Sequence, residues 1–385
     1  MKVVHFVPSL VKGGGERAVV DLSNWQIDNG HQVTVVAGWK VDESLLRHQL
    51  DERVDVVYIT ESGTRWSRYL AGVSWLLRNR KWVFRQDLIH AHMTWSAVLA
   101  TLIYYWRRSA DFSKPFVFET YHAVGMPISR MARWVHSRMA KRRDVLILMA
   151  DDAYWSAFRA AHPTLDAEVI LNGLAQPRIA ARKDQDVEEY RQSAGAPDSG
   201  SLIVGSIGRL VAERRPELVI HAFAKIAEEL EGRVHLLFAG AGPQVRALRT
   251  LVQEYRLEDR VHFPGLALDP ALPLALTDVY ISVNVGPVTG LAAVQAAFCG
   301  VPIVGIQLVE DYRPAQEDWI WSSTDIAAVA AEVTRLLEDP DARSALGASQ
   351  RAYAYENLTI DRMGRSYELL YDRARARRGL ATGSN

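Results

Sequence analysis

The strongest constraint on the fold is a regular alternation of short apolar runs with longer stretches of helical periodicity. The runs have the length of strands, and such an alternation is typical of βαβ units that build a parallel sheet. The predicted strands are Val3–Val7, Val33–Ala37, Val54–Ile59, Leu88–Ala91, Phe116–Glu119, Val145–Met149, Val169–Leu171, Leu202–Ile207, Val234–Ala239, Val261–Phe263, Val279–Ser282 and Pro302–Ile306. The first predicted helix carries Ala18, Leu22 and Trp25 on one apolar face. The sequence therefore predicts an α/β protein with doubly wound parallel sheets.

The alternation is interrupted once, by a segment rich in Pro, Ala, Gly and charged residues, and then restarts. Because a chain of 385 residues exceeds the roughly 250–300 at which a single core stops growing, two domains are expected. We predict a first domain over residues 1–175, a linker over 176–200, a second domain over 201–360, and a C-terminal helix and tail over 361–385. Met363, Tyr367 and Leu370 lie on one face of that last helix.

Composition excludes several classes of protein. Apolar residues make up 49% of the chain and charged residues 23%, which excludes a disordered chain or a coiled coil. The single cysteine, Cys299, excludes an internal disulfide. No apolar run approaches the ~20 residues of a membrane span, and the first residues do not have the pattern of a signal peptide. We therefore expect a cytoplasmic protein.

The net charge is zero, but it is unevenly distributed. Residues 1–150 carry 21 Lys and Arg against 13 Asp and Glu, and the rest of the chain carries 24 against 32. A basic first half favours an anionic partner for that half, whereas drift in surface composition would give the same pattern.

A glycine-rich loop, Gly13-Gly14-Gly15, lies between the first predicted strand and the first helix. Glycines let backbone N–H groups approach an anion closely, and a helix N-terminus favours negative charge, so this loop suits a diphosphate; a tight turn is the alternative. The loop is neither the G-x-G-x-x-G dinucleotide motif nor a Walker loop. In addition, Ala37-Gly38-Trp39 closes the second strand without the acidic residue that would bind a ribose.

Two arginines follow the first strand of the second domain, in Gly208-Arg209-Leu210 and at Arg214. Ligands of doubly wound sheets bind outside the carboxyl ends of the strands, where two cations would neutralise a diphosphate. Ordinary charges at the start of a helix are the alternative. Gly240 and Gly242 close the next strand, and this recurrence of glycine at strand ends favours a nucleotide site.

These motifs together resemble those of the retaining GT-B glycosyltransferases of family four, and the resemblance runs nearly end to end. The matching segments are Gly13–Glu16, Asp87–His92, Ile170–Gly173, Gly208–Leu210 with Arg214, Val261–Gly265 and Gly290–Pro302. The resemblance implies two Rossmann-like domains that face each other across a cleft, with the C-terminal helix crossing back to the first domain.

The resemblance also implies roles for individual residues, with the nucleotide-sugar donor as a substrate and without a cofactor. The residues expected to act in catalysis are His122, Arg209 and Arg214. Those expected to bind the donor are Gly14, Gly15, Arg209, Arg214, Gly265, Thr289, Gly290, Leu291 and Gln295. A packed loop histidine is the alternative for His122.

One motif departs from the family pattern. The family has two glutamates spaced Glu-x7-Glu, of which the first contacts the transferred sugar and the second binds the ribose. Counting back from Gly300 places Pro287 and Gln295 at these positions. Gln295 can still form a hydrogen bond with a ribose. Pro287 has no polar side chain and no N–H, so we expect Thr289 and the backbone around it to contact the sugar.

Two histidines, His90 and His92, alternate on the fourth predicted strand and therefore point to the same face of the sheet. They are a conceivable metal pair, but no third ligand of suitable spacing suggests itself, and we predict no metal site.

The segment Ser129–Arg143 interleaves cations with apolar residues. Its cations are Arg130, Arg133, Arg138, Lys141, Arg142 and Arg143, and its apolar residues are Met131, Trp134, Val135 and Met139. This spacing predicts a basic amphipathic helix, a pattern typical of attachment to an anionic membrane, here the cytosolic face of the inner membrane. A core-packing helix with a solvated basic face is the alternative. Nucleic acid is not an expected partner, because the chain has no recognised binding module.

We therefore expect a glycosyltransferase that moves a sugar from a UDP- or GDP-sugar to a glycan or lipid-linked acceptor with retention. Surface polysaccharide or lipopolysaccharide biosynthesis is the expected process. The loss of both glutamates makes a non-catalytic GT-B subunit that binds a nucleotide sugar the main alternative. An NAD-dependent enzyme or an epimerase on a similar fold is a further alternative.

Overall fold

A computed structural model of the chain describes residues 1–11, 13–41, 46–61, 63–109, 114–122, 130–150, 153–175, 184–198, 200–267, 269–284, 290–308 and 319–382. The chain forms two compact units, one of Met1–Ala175 with Ile360–Asn385 and the other of Gln176–Thr359. Each unit contains one parallel sheet flanked by helices, which confirms the predicted pair of Rossmann-like α/β domains.

The first unit is built on a seven-stranded parallel sheet. Its strands are β1 Lys2–Val7, β2 Gln32–Trp39, β3 Asp55–Thr60, β4 Leu88–His92, β5 Phe116–Tyr121, β6 Val145–Leu148 and β7 Asp166–Val169. Its helices are α1 Gly14–Asp28, α2 Arg65–Arg78, α3 Arg80–Val83, α4 Met93–Ser109, α5 Arg130–Ala140, α6 Ala153–Ala160 and α14 Ile360–Thr382. The strand order is β3-β2-β1-β4-β5-β6-β7. β4 and β5 are buried along their whole length, as expected for central strands covered on both faces.

The C-terminal helix α14 packs on the first unit, which confirms the prediction that it crosses back. Met363, Tyr367 and Leu370 are buried in the core that lines one face of the sheet. Gly364 lies against the Trp25 indole so closely that a Cβ there would come within 2.3 Å of the ring. The apolar spacing in the C-terminal segment therefore correctly predicts the buried face of α14.

The second unit is built on a six-stranded parallel sheet. Its strands are β8 Leu202–Ile207, β9 Val234–Ala239, β10 Val261–His262, β11 Val279–Asn284, β12 Ile303–Gln307 and β13 Ser322–Ser323. Its helices are α7 Asp184–Ser193, α8 Glu217–Glu229, α9 Val245–Glu254, α10 Ala271–Ala275, α11 Leu291–Cys299, α12 Ile326–Glu338 and α13 Pro340–Asn357. The strand order is β10-β9-β8-β11-β12-β13. α8 and α12 cover one face with buried aliphatic side chains.

Both sheets reverse their strand order between two neighbouring strands, β1 and β4 in the first unit and β8 and β11 in the second. Such a reversal opens a crevice outside the carboxyl ends of the strands, where ligands of doubly wound sheets bind. The glycine loop Gly13–Gly15 follows β1, and the loop that carries Arg209 follows β8. Each loop therefore lies at the binding edge of its own sheet.

The structure differs from the sequence predictions at two places, the last strand of the first sheet and the segment before the second sheet. The seventh strand is Asp166–Val169 rather than Val169–Leu171. The segment predicted as a linker contains α7, whose Val187 and Tyr190 pack against Ile203 and Leu237. Because these two apolar residues are three positions apart, they lie on one side of the helix, a signal that the Pro- and Gly-rich surroundings obscured.

Candidate functional site

Two cations lie together after β8 in the second unit. Arg209 is exposed and Arg214, at the end of a 3₁₀ turn, is half-buried. Burial lowers the pKa of Arg214 and the nearby charge of Arg209 lowers it further, although a guanidinium stays protonated at neutral pH. Among the residues that the structure describes, neither forms an ion pair with a carboxylate. Two unneutralised positive charges at a strand end make a strong site for an anion.

Close backbone packing holds the Arg209 loop in place. Gly208 N–H donates to the carbonyl of Ala239 at 3.0 Å, and Leu210 N–H donates to that of Ala241 at 3.0 Å. A Cβ on Gly240 would come within 2.0 Å of the Gly208 carbonyl oxygen, and one on Gly242 within 2.2 Å of that of Leu210. The glycines after β9 therefore have a steric role: they let the two strand-end loops pack together.

Tyr280 on β11 supports the same loop, a residue that the sequence analysis missed. Its hydroxyl accepts from the N–H of Ile207 at 3.3 Å and donates to the Ile207 carbonyl at 3.1 Å. Burial raises the pKa of Tyr280 to about 12, so its ring stays neutral beside Arg214. The sequence signal for this contact is a tyrosine between the aliphatic residues Val279 and Ile281 of the strand.

The helix α11 follows β11 at the same sheet edge. Gly290 is its N-cap residue, and no described side chain caps the helix. The N-terminus of α11 therefore suits an anion or a sugar oxygen. Leu291 and Gln295 are half-buried. Within the described residues Gln295 has no hydrogen-bond partner. Pro287 and Thr289 lie outside the residues that the structure describes.

Gly265, one of the residues expected to bind the donor, follows β10. Its φ is +82°, in the left-handed region that favours glycine. The neighbouring Phe263 stacks on Phe238 with ring centroids 6.0 Å apart and lies 4.9 Å from the guanidinium of Arg249. The loop thus presents an ordered backbone beside an aromatic and cationic pair.

In the first unit, the glycine loop and His122 meet. α1 begins at Gly14, with Gly13 as its N-cap. A Cβ on Gly15 would lie 3.3 Å from His122 Cγ and 3.4 Å from His122 Nδ1, so this part of α1 is in close contact with the imidazole. The Glu16 side chain folds back over the loop. Its carboxylate lies so near that a Cβ on Gly13 would come within 2.2 Å of it. An anion bound at the N-terminus of α1 would therefore lie close to the Glu16 carboxylate.

His122 is one end of a buried row of imidazoles. His5 Nδ1 lies 3.0 Å from His92 Nε2, and His92 Nδ1 lies 3.1 Å from His122 Nε2. At the other end, His5 Nε2 lies 2.7 Å from Gln26 Oε1. Burial lowers the pKa of His5 and of His122 to about 4, and holds that of His92 well below its usual range. All three rings are therefore neutral at pH 7.

The expectation that His90 and His92 have no third potential metal ligand is wrong, because His5 is one. His5 lies opposite His90 in the β1–β4 register, and each of the three rings offers a nitrogen within 4.8 Å of the others. Two of these nitrogens, on His5 and His92, are hydrogen-bonded to each other, and His90 Nε2 pairs with Thr120 Oγ1 at 2.8 Å. We assign the cluster to hydrogen bonding; the absence of a metal stays a prediction.

The basic helix α5 differs from its predicted pattern. Arg143, counted among its surface cations, is buried and donates to Glu119 at 2.6 Å. His136 lies on the buried side and contacts the same carboxylate at 2.6 Å. Trp134 and Val135 are instead 52% and 41% exposed. The helix therefore anchors itself through a polar network and presents apolar residues to solvent.

Arginine and aromatic side chains alternate on the surface around α5. Arg138 lies 4.6 Å from the Trp134 ring, and Arg142 donates to the Tyr105 hydroxyl at 2.7 Å. A concavity of about 600 Å³ is lined by Tyr104, Tyr105, Arg108, Ser109, Lys141 and Arg142. We call Trp134, Val135, Arg138 and this concavity the α5 surface. Among the described residues, no helix has the length and apolar character needed to cross a membrane.

Comparison with known families matches both units. Residues 12–173 match the model of glycosyltransferase family 4, and residues 186–353 match that of glycosyl transferases group 1. Together the two models cover most of the chain.

Curated relatives have related descriptions. The N-acetyl-alpha-D-glucosaminyl L-malate synthase of Bacillus anthracis is 24% identical over 234 residues, 60% of each protein. The GDP-mannose-dependent alpha-(1-6)-phosphatidylinositol monomannoside mannosyltransferase of Mycolicibacterium smegmatis is 26% identical over 269 residues, 66% of this chain and 69% of the relative. The matched segments thus span 60% of the length of the first relative and 69% of the length of the second.

Solved structures share the fold. Anabaena HepE in complex with UDP and glucose has a TM-score of 0.78 at 19% identity, covering 97% of this chain and all of that one. WaaG, a glycosyltransferase involved in lipopolysaccharide biosynthesis, has a TM-score of 0.70 at 14% identity, covering 95% and 99%. These likenesses confirm the predicted GT-B fold.

Proposed function

Because the chain belongs to the glycosyl transferases group 1 family, we propose that it transfers a sugar from a UDP- or GDP-sugar with retention of configuration. The acceptor is a glycan or a lipid-linked glycan. The Mycolicibacterium relative, named for GDP-mannose and a phosphatidylinositol mannoside, supports an acceptor of this kind, and the fold neighbour named for lipopolysaccharide biosynthesis supports a surface-glycan process.

The observation that carries the proposal is the pair of cations at the switch point of the second sheet, which form no ion pair with a described carboxylate. Arg209 and Arg214 lie close enough for the charge of one to lower the pKa of the other. Holding two like charges together costs free energy, and a diphosphate between them would offset that cost. As the glycosidic bond breaks, negative charge grows on the leaving diphosphate, so cations fixed in advance stabilise the transition state more than the ground state.

The remaining candidates have roles around this centre. His122 positions the donor sugar, and Gln295 binds the ribose. Gly14, Gly15, Gly265, Thr289, Gly290 and Leu291 contact the donor through backbone or side-chain groups. The reaction needs no metal, because the arginines and helix N-termini carry the phosphate charge.

We also propose that the protein attaches peripherally to an anionic bilayer through the α5 surface, on the cytoplasmic face of the membrane. The support is its chemistry: exposed Trp134 and Val135 lie beside Arg138, Lys141 and Arg142. Such surfaces combine insertion of apolar groups with attraction to lipid headgroups.

The diphosphate site is tested by calorimetry. We expect Arg209→Ala to weaken binding of UDP or GDP by about 1.5–3 kcal/mol, the range for hydrogen bonds to charged groups. Arg233→Ala is the matched control, because Arg233 is a 66% exposed cation directly before β9, at the opposite edge of the same sheet. Equal affinity of both variants and the wild type for the nucleotide diphosphate would refute the assignment.

A second candidate function is a non-catalytic subunit that binds a nucleotide sugar. The observation that favours it is the replacement of both family glutamates, by Pro287 and Gln295. It shares the binding site with the first function and differs in having no turnover.

A further inference from the structure

The row of imidazoles in the first unit connects the glycine loop to a buried amide on α1. The hydrogen-bonded order is Gln26, His5, His92 and His122, and we call these four residues the histidine relay. Gln26 is completely buried. The other end, His122, is half-buried beside Gly15.

Neutral imidazoles impose a direction on the relay. A neutral ring has one N–H donor and one nitrogen acceptor, and the burial-lowered pKa of each relay histidine keeps it neutral at pH 7. Each N···N contact contains a single proton. If one ring donates through Nε2 and accepts through Nδ1, its neighbour must do the same. The three histidines therefore share one tautomer.

The amide of Gln26 selects which tautomer that is. Its Nε2 donates to the hydroxyl of Tyr371 at 2.9 Å, which leaves Oε1 to accept from His5. His5 is then protonated at Nε2, and so are His92 and His122 in turn. A Gln26 amide turned by 180° would reverse every bond in the row.

The end of the relay is an unusual atom. His122 Nδ1 is buried, and within the described residues it has no hydrogen-bond partner. With the tautomer set by Gln26 this nitrogen carries a lone pair and no proton. It faces Gly15, in the first turn of α1. A lone pair attracts a hydroxyl proton and repels the oxygens of an ionised phosphate.

We propose that Gln26, His5 and His92 are positioning residues that fix His122 with an unprotonated Nδ1, which accepts a hydrogen bond from a hydroxyl of the donor sugar. His122 thereby recognises the sugar and not the diphosphate. This inference rests on the proposed function for the identity of the ligand, whereas the relay itself is a property of the free protein.

His90 serves as an internal reference because it lies in the cluster but not in the relay. Its ring is centred 4.1 Å from that of His92, yet its Nε2 pairs with Thr120 Oγ1, which also contacts the Tyr367 hydroxyl at 2.9 Å. Loss of the Thr120 hydroxyl removes a buried polar group from the same core without interrupting the relay.

The relay is tested by long-range ¹H–¹⁵N spectra of the histidine side chains in the full-length protein at pH 7. We expect His5, His92 and His122 to be protonated at Nε2, with N–N couplings across the two imidazole hydrogen bonds. In Gln26→Met, which removes the amide, His122 should show both tautomers. Thr120→Val should leave the His122 spectrum unchanged. An Nδ1–H tautomer of His122 in the wild type, or an unchanged His122 in Gln26→Met, would overturn the proposal.

Binding separates this inference from the proposed function. We expect Gln26→Met to weaken the binding of UDP-glucose or GDP-mannose by up to about tenfold, because one hydrogen bond to the sugar is lost. The affinity for UDP and GDP should be unchanged. An equal loss for the sugar nucleotide and the free nucleotide would overturn the sugar assignment. If the wild type has the predicted tautomers and binds no nucleotide at all, the relay stands and the proposed function fails.

Discussion

At the scale of single residues, the two units differ in the charge of their candidate site residues. In the second unit Arg209 and Arg214 lie at a strand end and form no ion pair with any carboxylate in the described part of the chain. The first unit keeps its relay histidines neutral in the core. Neighbouring like charges and buried titratable groups both cost free energy in the absence of a ligand. Such unfavourable arrangements are typical of binding sites.

The neutral histidines predict a marked loss of stability in mild acid. Since their folded-state pKa lies below the unfolded value of 6.5, the unfolded chain binds protons between pH 6.5 and about 4 that the folded protein does not. The free energy of unfolding therefore falls as the pH falls through this window, by about 2 kcal/mol for His5 alone at pH 5. The pKa of Glu119 is lowered to about 2. Protonation of this carboxylate therefore reduces the free energy of unfolding further, but only below pH 4.5.

Urea denaturation at pH 7, 6 and 5 measures this effect. The His5→Gln variant should have a shallower pH dependence by up to one bound proton. A free energy of unfolding that is constant from pH 7 to pH 5 would show that the imidazoles are not held neutral.

The two residue-scale sites differ in how far the sequence predicts them. Arg209 and Arg214 are visible because a cation after a strand has a known place in a doubly wound fold. The relay is not visible, because His5, Gln26 and His92 meet only through the β1–β4 register and the packing of α1. The one available signal is that His5 interrupts an otherwise apolar strand.

At the scale of elements, helix patterns predict the buried face where apolar residues form it. This holds for α14, since Met363, Tyr367 and Leu370 are all buried. It fails for α5, where His136 and the neighbouring Arg143 are buried through Glu119 while Trp134 is exposed. The contacts with Glu119 bury polar residues and leave an apolar residue exposed, the opposite of the usual helix pattern. Apolar periodicity in the sequence cannot predict such contacts.

The α5 surface predicts salt-sensitive membrane binding. The protein should sediment with anionic vesicles, and binding should fall steeply as the ionic strength rises because salt screens attraction to the headgroups. Replacement of Arg138, Lys141 and Arg142 with Glu should abolish binding. Arg143 is excluded from the variant, because removing one partner of a buried ion pair costs about 3–5 kcal/mol of stability.

The control is a triple exchange to Glu at Arg246, Arg256 and Arg260 in the second unit, which changes the net charge equally at another site. Equal sedimentation with neutral and anionic vesicles, or equal loss in both triple variants, would contradict a specific role for the α5 surface.

At the scale of the whole molecule, two doubly wound units each place glycine-rich loops at a switch point. This architecture follows from the alternation of strand and helix patterns, so the sequence predicts it nearly completely. The linker is the exception, because α7 stabilises itself by packing on the second unit. Catalytic competence does not follow from the fold, since a binding subunit would have the same one.

The central claim, that the protein is an active transferase, is tested most directly by release of UDP or GDP from a panel of sugar nucleotides with a mixture of lipid-linked acceptors. We predict acceptor-dependent release for at least one donor. Arg214→Ala should lower kcat, because charge on the leaving diphosphate grows in the transition state, whereas Gln295→Ala should mainly raise the KM of the donor, because ribose contacts are similar before and during bond breaking. Absence of release for every donor that binds, under conditions where a related enzyme is active, would contradict the claim and establish the non-catalytic subunit.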